Sequence, residues 1–237
     1  MIEVIGTDAG APASLPPAHQ QLLRGAQLLA APRRLHPALR SWWGDAMPEL
    51  MATDQPGPLL ERLRSTPPSQ AVVVLASGDP LWYGIGRLLV EGLPRESLRF
   101  HPAPSSLQLA FARIARPWQD AAWVSLHGRD PEALASRLQQ RPPALAVLTD
   151  PARGGAEAVR TLLRAAGLEQ AYGLWVCERL GHAEERVQRL SPGDPTPADL
   201  DPLHLVLLVA EPPALPSDLP LFGLPDGVFL QHADRPG

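Results

Sequence analysis

The chain has 237 residues, enough for one large domain or two small ones with a real buried core. Its net charge is −4, all 21 basic residues are arginine and no basic tract occurs, which argues against a nucleic-acid partner. The single cysteine, Cys177, excludes an internal disulfide and fits a reducing compartment. No apolar run reaches membrane-spanning length and a strand begins almost at Met1, leaving no room for a signal peptide, so the expectation is a cytoplasmic protein without a membrane partner.

In chain order, residues 2–6 (IEVIG) read as a first strand, followed by the small-residue loop Thr7-Asp8-Ala9-Gly10-Ala11. The G-x-x-x-G spacing is not the dinucleotide fingerprint, and no helix starts directly after it. A helix is expected from about Pro16, with proline in its first turn and Leu22 and Leu23 on one face. Residues 28–31 read as a short second strand ending at Pro32-Arg33-Arg34, a pair that is either a solvated loop or a grip for anionic groups. Trp42 and Trp43 are expected to pack over the sheet, and residues 58–63 form a short helix.

The stretch 72–86, VVVLASGDPLWYGIG, is the organising element of the chain. Four apolar residues without alternation suit a strand buried on both faces of a parallel sheet. Pro80 ends the ladder and pushes Asp79 out of helical geometry. Leu81, Ile85, Leu88 and Leu89 then recur at helical spacing. Strand, small loop with a carboxylate, helix: open α/β folds bind ligands at such strand ends.

Residues 97–101 give the next strand, and Ser105 or Ser106 caps a helix over 107–115 that buries Leu109 and Ile114. Residues 121–126 form a strand ending at His127-Gly128-Arg129, with a helix over 131–140 behind it. Residues 144–148 form another, ending at Thr149-Asp150-Pro151, with Gly154-Gly155 and a helix to Ala166. Strands at 174–177, 185–190 and 203–209 give a more antiparallel second half, and the proline-rich residues from 211 onward read as an extended tail. Trp118 and Trp123 are expected in the core.

The seven histidines form no metal-binding pattern, and neither G-x-S-x-G nor a P-loop occurs. His127, closing a strand, is the one candidate for proton chemistry, with an idle loop histidine as the alternative. Cys177, inside an apolar run, reads as an inert buried thiol. Strand-end loops around Gly6, Asp79, Ser105-Ser106, His127 and Asp150, with no nucleophile-and-base pair, suit chemistry carried by a cofactor.

Several of these strings carry a resemblance. GDPLWYG at 78–84, PAPSSLQ at 102–108, PWQDA at 117–121 and SLHGR at 125–129 resemble the tetrapyrrole methylases of cobalamin synthesis, within them the branch that methylates C5 of a precorrin. LTDP at 148–151, ERLG at 178–181 and DPLHLV at 201–206 continue the likeness in order. It implies a two-domain α/β fold: a mostly parallel N-terminal sheet (1–104), a mixed C-terminal sheet (105–210), and a tail or linker (211–237). It further implies S-adenosylmethionine as cofactor, held by Gly6, Thr7, Gly78, Asp79, Pro80, Trp82, Ser105 and Ser106, with Leu148 and Thr149 from the second half. The acceptor is then a reduced, carboxylate-rich precorrin methylated on a bridging carbon, in a protein that is commonly a homodimer.

With lysine absent, Arg33, Arg34, Arg129, Arg153 and Arg179 are the expected partners of the ring carboxylates. FGLPD at 222–226 resembles the linker that leads, in fused relatives, to a decarboxylating C15 methylase, which implies a separate C15-methylating partner. Two departures stand out. Asp8 occupies the place of a second first-loop glycine, where a carboxylate is expected to repel substrate carboxylates or crowd the methionine end of the cofactor. Ala31-Pro32 replaces a glycine pair before Arg33-Arg34. A degenerate, non-catalytic tetrapyrrole-binding subunit is the standing alternative.

Overall fold

The structure, a computed structural model, describes residues 1–127, 131–191 and 193–211. Five strands form a first sheet in the order β3-β2-β4-β1-β5: β1 (Ile2–Thr7), β2 (Leu28–Ala31), β3 (Glu49–Ala52), β4 (Val72–Ser77) and β5 (Leu98–His101). All four pairings are parallel. Residues 72–75 are buried from both sides, which is why their sequence runs apolar without alternation.

Helices α1 (Pro17–Arg24) and α2 (His36–Trp43) cover one face through Leu23 and Leu39, whereas α3 (Pro56–Arg64) and α4 (Gly86–Gly92) cover the other through Leu59, Leu63 and Leu89. The chain therefore leaves β1 toward one face and leaves the adjacent β4 toward the opposite face. That reversal makes the carboxyl ends of β1 and β4 the switch point, the place where open α/β sheets take ligands in a crevice.

The second sheet has the order β6-β7-β10-β8-β9, from β6 (Ala121–Ser125), β7 (Ala144–Leu148), β8 (Tyr172–Glu178), β9 (Arg186–Leu190) and β10 (His204–Ala210). Only β6 and β7 are parallel; the other pairs are antiparallel. Helices α6 (Glu132–Gln139) and α7 (Gly155–Ala165) pack on one face against Leu145, Val147, Val206 and Leu208. The opposite face presents the smaller Ala144 and Ala146 and receives α5 (Ser106–Arg113) through Leu107, Ala110 and Phe111. Trp82, from the loop after β4, joins that same cluster, so a first-sheet loop is anchored on the second sheet.

Four expectations are corrected. The helix after Pro80 begins only at Gly86, because residues 79–85 fold into a turn and Leu81 points to solvent. Helix α5 buries Leu107, Ala110 and Phe111, while Leu109 and Ile114 are only half-buried. Trp118 and Trp123 are each 43% exposed: the neighbours Ala122 and Val124 take the α6–α7 face, which turns Trp123 to the other side of an edge strand. Helix α2 and strand β3 add to the expected elements; β3 is a half-exposed edge strand whose apolar run, Leu50-Met51-Ala52, is too short to announce it. The proline-rich tail lies outside the described residues apart from Glu211.

Candidate functional site

Three loops converge at the crevice. Gly78 donates its amide to the Thr7 carbonyl at 2.8 Å, and the buried Thr7 hydroxyl donates to the Ala76 carbonyl at 2.9 Å. A Cβ on Gly6 would lie 2.2 Å from the Gly78 oxygen and 2.6 Å from the Ala103 nitrogen. Gly6 is thus glycine because two other loops close on it. Backbone of Gly78 and Ala103 fills the space beside its Cα. Gly78 has φ +63°, and a Cβ there would stand 3.2 Å from the Ser105 Cα, so it packs directly on the start of α5.

The Gly-Asp-Pro loop folds back on itself. Leu81 donates its amide to Asp79 Oδ1 at 2.9 Å, and the Gly86 amide reaches the Pro80 carbonyl at 3.0 Å. Side chains at Gly84 and Gly86 would strike that carbonyl, at 2.9 and 2.4 Å. The turn holds Tyr83 at φ +52°, a strained conformation for an aromatic residue, with its ring edge-on to Trp82 at 5.1 Å.

Ser105 caps α5 through a capping box: its Oγ accepts from the Gln108 amide, and its own amide donates to Gln108 Oε1 at 2.8 Å. That leaves the half-buried Ser106 hydroxyl and the first-turn amides of Ser106 and Leu107, which meet no protein acceptor among the described residues. Donors aimed from a helix start into a small-residue crevice match the carboxylate and hydroxyl oxygens of an adenosylated amino acid. The residues present fit that group.

The wall opposite belongs to the second sheet. Beyond β8, Arg179 adopts φ +47° and pairs with Glu184 at 3.3 Å and Asp201 at 3.5 Å. A Cβ on Gly181 would stand 3.7 Å from Leu109 and 4.0 Å from Ala9, so this turn faces both α5 and the first loop. Arg113 on α5 ties it down by an ion pair with Glu185, whose carboxyl that guanidinium holds below the usual range. Gly181 donates its amide to the same carboxylate at 2.6 Å.

The remaining expected residues divide. Arg34 donates from Nη2 to Ser77 Oγ at 2.5 Å, at the end of β4 and beside the crevice. Burial pulls its guanidinium below the ordinary value, with Asp54 opposing, although solvent still reaches the side chain. Arg33 is exposed next to it and donates its backbone amide to Asp54 at 2.8 Å. Leu148 and Thr149 end β7 on the second sheet, and the Thr149 hydroxyl is committed to the His204 carbonyl at 2.7 Å. Arg153 lies near Asp150, at 3.9 Å. His127 is exposed beyond β6, and no contact among the described residues ties it to the three-loop junction; Arg129 lies outside them. The Asp8 carboxylate turns back on its own loop, accepting from the Gly10 amide at 3.0 Å and from the Ser14 hydroxyl.

Sequence reasoning missed His204. Its Nδ1 meets the Asp201 carbonyl at 2.6 Å and its Nε2 the Ala156 amide at 3.1 Å, so those partners assign the Nδ1–H tautomer and make the ring a cap for α7. Only the neighbouring Gly155, where a Cβ would touch the ring at 3.0 Å, hinted at so close an approach. Among the described residues no group of three or more His, Cys, Asp or Glu is placed to hold a metal ion.

The precorrin-6Y C(5,15)-methyltransferase (decarboxylating) of Sinorhizobium sp is 40% identical over 116 residues, 49% of this chain and 27% of the relative. The cobalt-precorrin-7 C(5)-methyltransferase of Salmonella typhimurium is 38% identical over 96 residues, 40% of this chain and 45% of the relative. The matches therefore span about a quarter and under half of the relatives' own lengths. The uroporphyrin-III C-methyltransferase of Thermus thermophilus, solved in complex with S-adenyl homocysteine, superposes with a TM-score of 0.61 at 21% identity, covering 88% of this chain and 96% of that one. The family model of the tetrapyrrole (corrin/porphyrin) methylases matches residues 1–196, and with the sheets and loops arranged as described, the chain belongs to that family.

Proposed function

We propose that this chain is an S-adenosylmethionine-dependent methyltransferase that methylates the C5 bridging carbon of a precorrin, precorrin-7 or its cobalt form, in cobalamin biosynthesis. Both curated relatives carry a C5 reaction in their names, which supports that carbon over others on the ring. The observation that carries the reading is the junction of Gly6, Gly78 and Ser105, where three loops from one parallel sheet meet at the switch point and leave α5 amides open.

The cofactor, when bound, supplies a methyl group activated on a sulfonium. The protein's task is then alignment of an electron-rich ring carbon with that methyl. Ser106 and the first amides of α5 hold polar groups of the cofactor. Trp82, packed against Leu107, Phe111 and their neighbours, keeps the Gly-Asp-Pro loop seated against the second sheet. Arg34 at the end of β4, with Arg33 beside it, supplies cationic donors for ring carboxylates. Arg179 stands on the opposite wall, already shared between two carboxylates. The C15 methylation named for the Sinorhizobium relative is assigned to a separate polypeptide or domain.

Calorimetric titration with S-adenosylhomocysteine tests the cofactor half. The wild type is expected to bind with a dissociation constant on the order of micromolar, and Ser106→Trp to abolish the heat. Incubation with precorrin-7 and labelled S-adenosylmethionine, read by mass spectrometry of the corrinoid, tests the other half. No binding at millimolar ligand overturns the enzyme reading in favour of a non-catalytic tetrapyrrole-binding subunit.

A further inference from the structure

The first loop contains a residue whose role no comparison supplies. Asp8, at the place where the sequence resemblance implies a glycine, directly follows the buried β1. Its Oδ1 accepts two hydrogen bonds, from the Gly10 amide at 3.0 Å and from the Ser14 hydroxyl. The closure is tight: a Cβ on Gly10 would stand 3.1 Å from the Ser14 Cβ, and the Ser14 amide donates to the Gly10 carbonyl at 3.3 Å. Gln20 pins the far side from α1, donating to the carbonyls of Ala13 and Leu15 at 3.0 and 2.9 Å. Ala11 and Leu15 anchor the base in the core beneath α1 and α2. Between those fixed points Ala9 projects toward Gly181 of the second sheet, 4.0 Å from where a Cβ there would lie.

We propose that Asp8 is a positioning residue: its carboxylate clasps Gly10 and Ser14 and holds the first loop as a rigid wall of the cofactor cleft, at the spacing set by Ala9 against Gly181. The inference rests on the methyltransferase reading. A glycine at position 8 leaves the Gly10 amide and the Ser14 hydroxyl to water and frees three consecutive small residues, so the loop must be ordered each time cofactor binds. The carboxylate performs that ordering in advance, through bonds to a charged acceptor, the stronger kind. Restoring glycine, which looks like repair from the sequence, is therefore expected to do harm.

The test compares wild type, Asp8→Gly, Asp8→Asn and Ser14→Ala in the full chain. Two measurements are made: hydrogen exchange of the cofactor-free 8–15 segment, and calorimetric affinity for S-adenosylhomocysteine. Asp8→Gly is expected to speed exchange and weaken affinity each by about tenfold, a difference of about 1.4 kcal/mol. Asp8→Asn keeps an acceptor oxygen at Oδ1 and is expected to stay within about threefold of wild type, with Ser14→Ala in between. Unchanged exchange in Asp8→Gly, or affinity equal to or tighter than wild type, overturns the clasp. If the wild type itself fails to bind, the methyltransferase reading and the cofactor role of Asp8 fall together, while the exchange result still decides whether Asp8 holds the loop.

Discussion

Gly6→Ala gives the sharpest test of the three-loop junction. The added methyl carbon would sit 2.2 Å from the Gly78 oxygen and 2.6 Å from the Ala103 nitrogen, where protein Cβ contacts essentially never fall below 3.0 Å. Both obstacles are backbone atoms, so no rotamer change relieves them. Opening the gap takes a shift of about 1 Å, and the Gly78 peptide cannot shift without loosening its 2.8 Å bond to Thr7. Overpacking of this kind costs about 1–3 kcal/mol, and the weakened hydrogen bond adds about 1 kcal/mol. The sum, roughly 2–4 kcal/mol, lowers Tm by roughly 6–12 °C for a chain of this size.

Calorimetric melting of wild type and Gly6→Ala reads the shift, and titration with S-adenosylhomocysteine reads the accompanying loss of affinity. Gly25→Ala is the control, because exposed Gly25 ends α1 at φ −82° and a Cβ there would keep 3.6 Å from the nearest atom. It is expected to leave stability within about 0.5 kcal/mol of wild type. A Gly6→Ala protein that melts within about 1–2 °C of wild type, well short of the expected shift, would refute the convergence of loops on Gly6, and with it the placement of the site.

Three further outcomes are expected. Ala115 stands at φ +51° just past α5, with its amide on the Ala112 carbonyl and the Arg116 amide on the Phe111 carbonyl, a geometry that favours glycine. Ala115→Gly should raise Tm by about 2–4 °C, the equivalent of about 1 kcal/mol. Burial pushes the Cys177 thiol from 9.0 to about 12, so the unfolded chain loses that proton first as pH rises. Stability is therefore lost above about pH 9, by about 1.4 kcal/mol at pH 10. Urea unfolding at pH 8 and pH 10 should show that extra loss in wild type and not in Cys177→Ala; equal loss of stability in the two proteins would reject the assignment. Arg34→Met should weaken binding of uroporphyrin III, a carboxylate-rich probe, about tenfold while leaving S-adenosylhomocysteine affinity unchanged, and equal loss of both would remove Arg34 from the substrate side.

How legible an element is in the sequence depends on how local its cause is. Strands β4, β7 and β10 are double-buried runs, and burial from two sides leaves an unmistakable apolar string. The Ser105 cap is equally local, because serine and Gln108 three residues on complete the capping box between themselves. Strand β3 has only a short one, since an edge strand half in water needs no more. The tryptophans mislead for a related reason: Trp123 counts as core by composition, yet alternation on an edge strand turns it outward. Nothing near position 118 or 123 in the chain records which strand lies at the edge.

The two first-loop residues show the same division inside the site. Gly6 announces a close approach but not by what. The atoms that fill its space come from Gly78 and Ala103, about 70 and about 100 positions away, so a ligand and a loop are indistinguishable from the string alone. Asp8 is legible in principle: an aspartate two residues before a glycine and six before a serine has partners within its own loop. Set against a glycine pattern it looks like damage, because such a pattern records which residue is usual without recording what holds the loop in place. A substitution that removes backbone freedom while adding an acceptor changes how the loop is ordered, and the Asp8→Gly experiment asks whether it changes anything else.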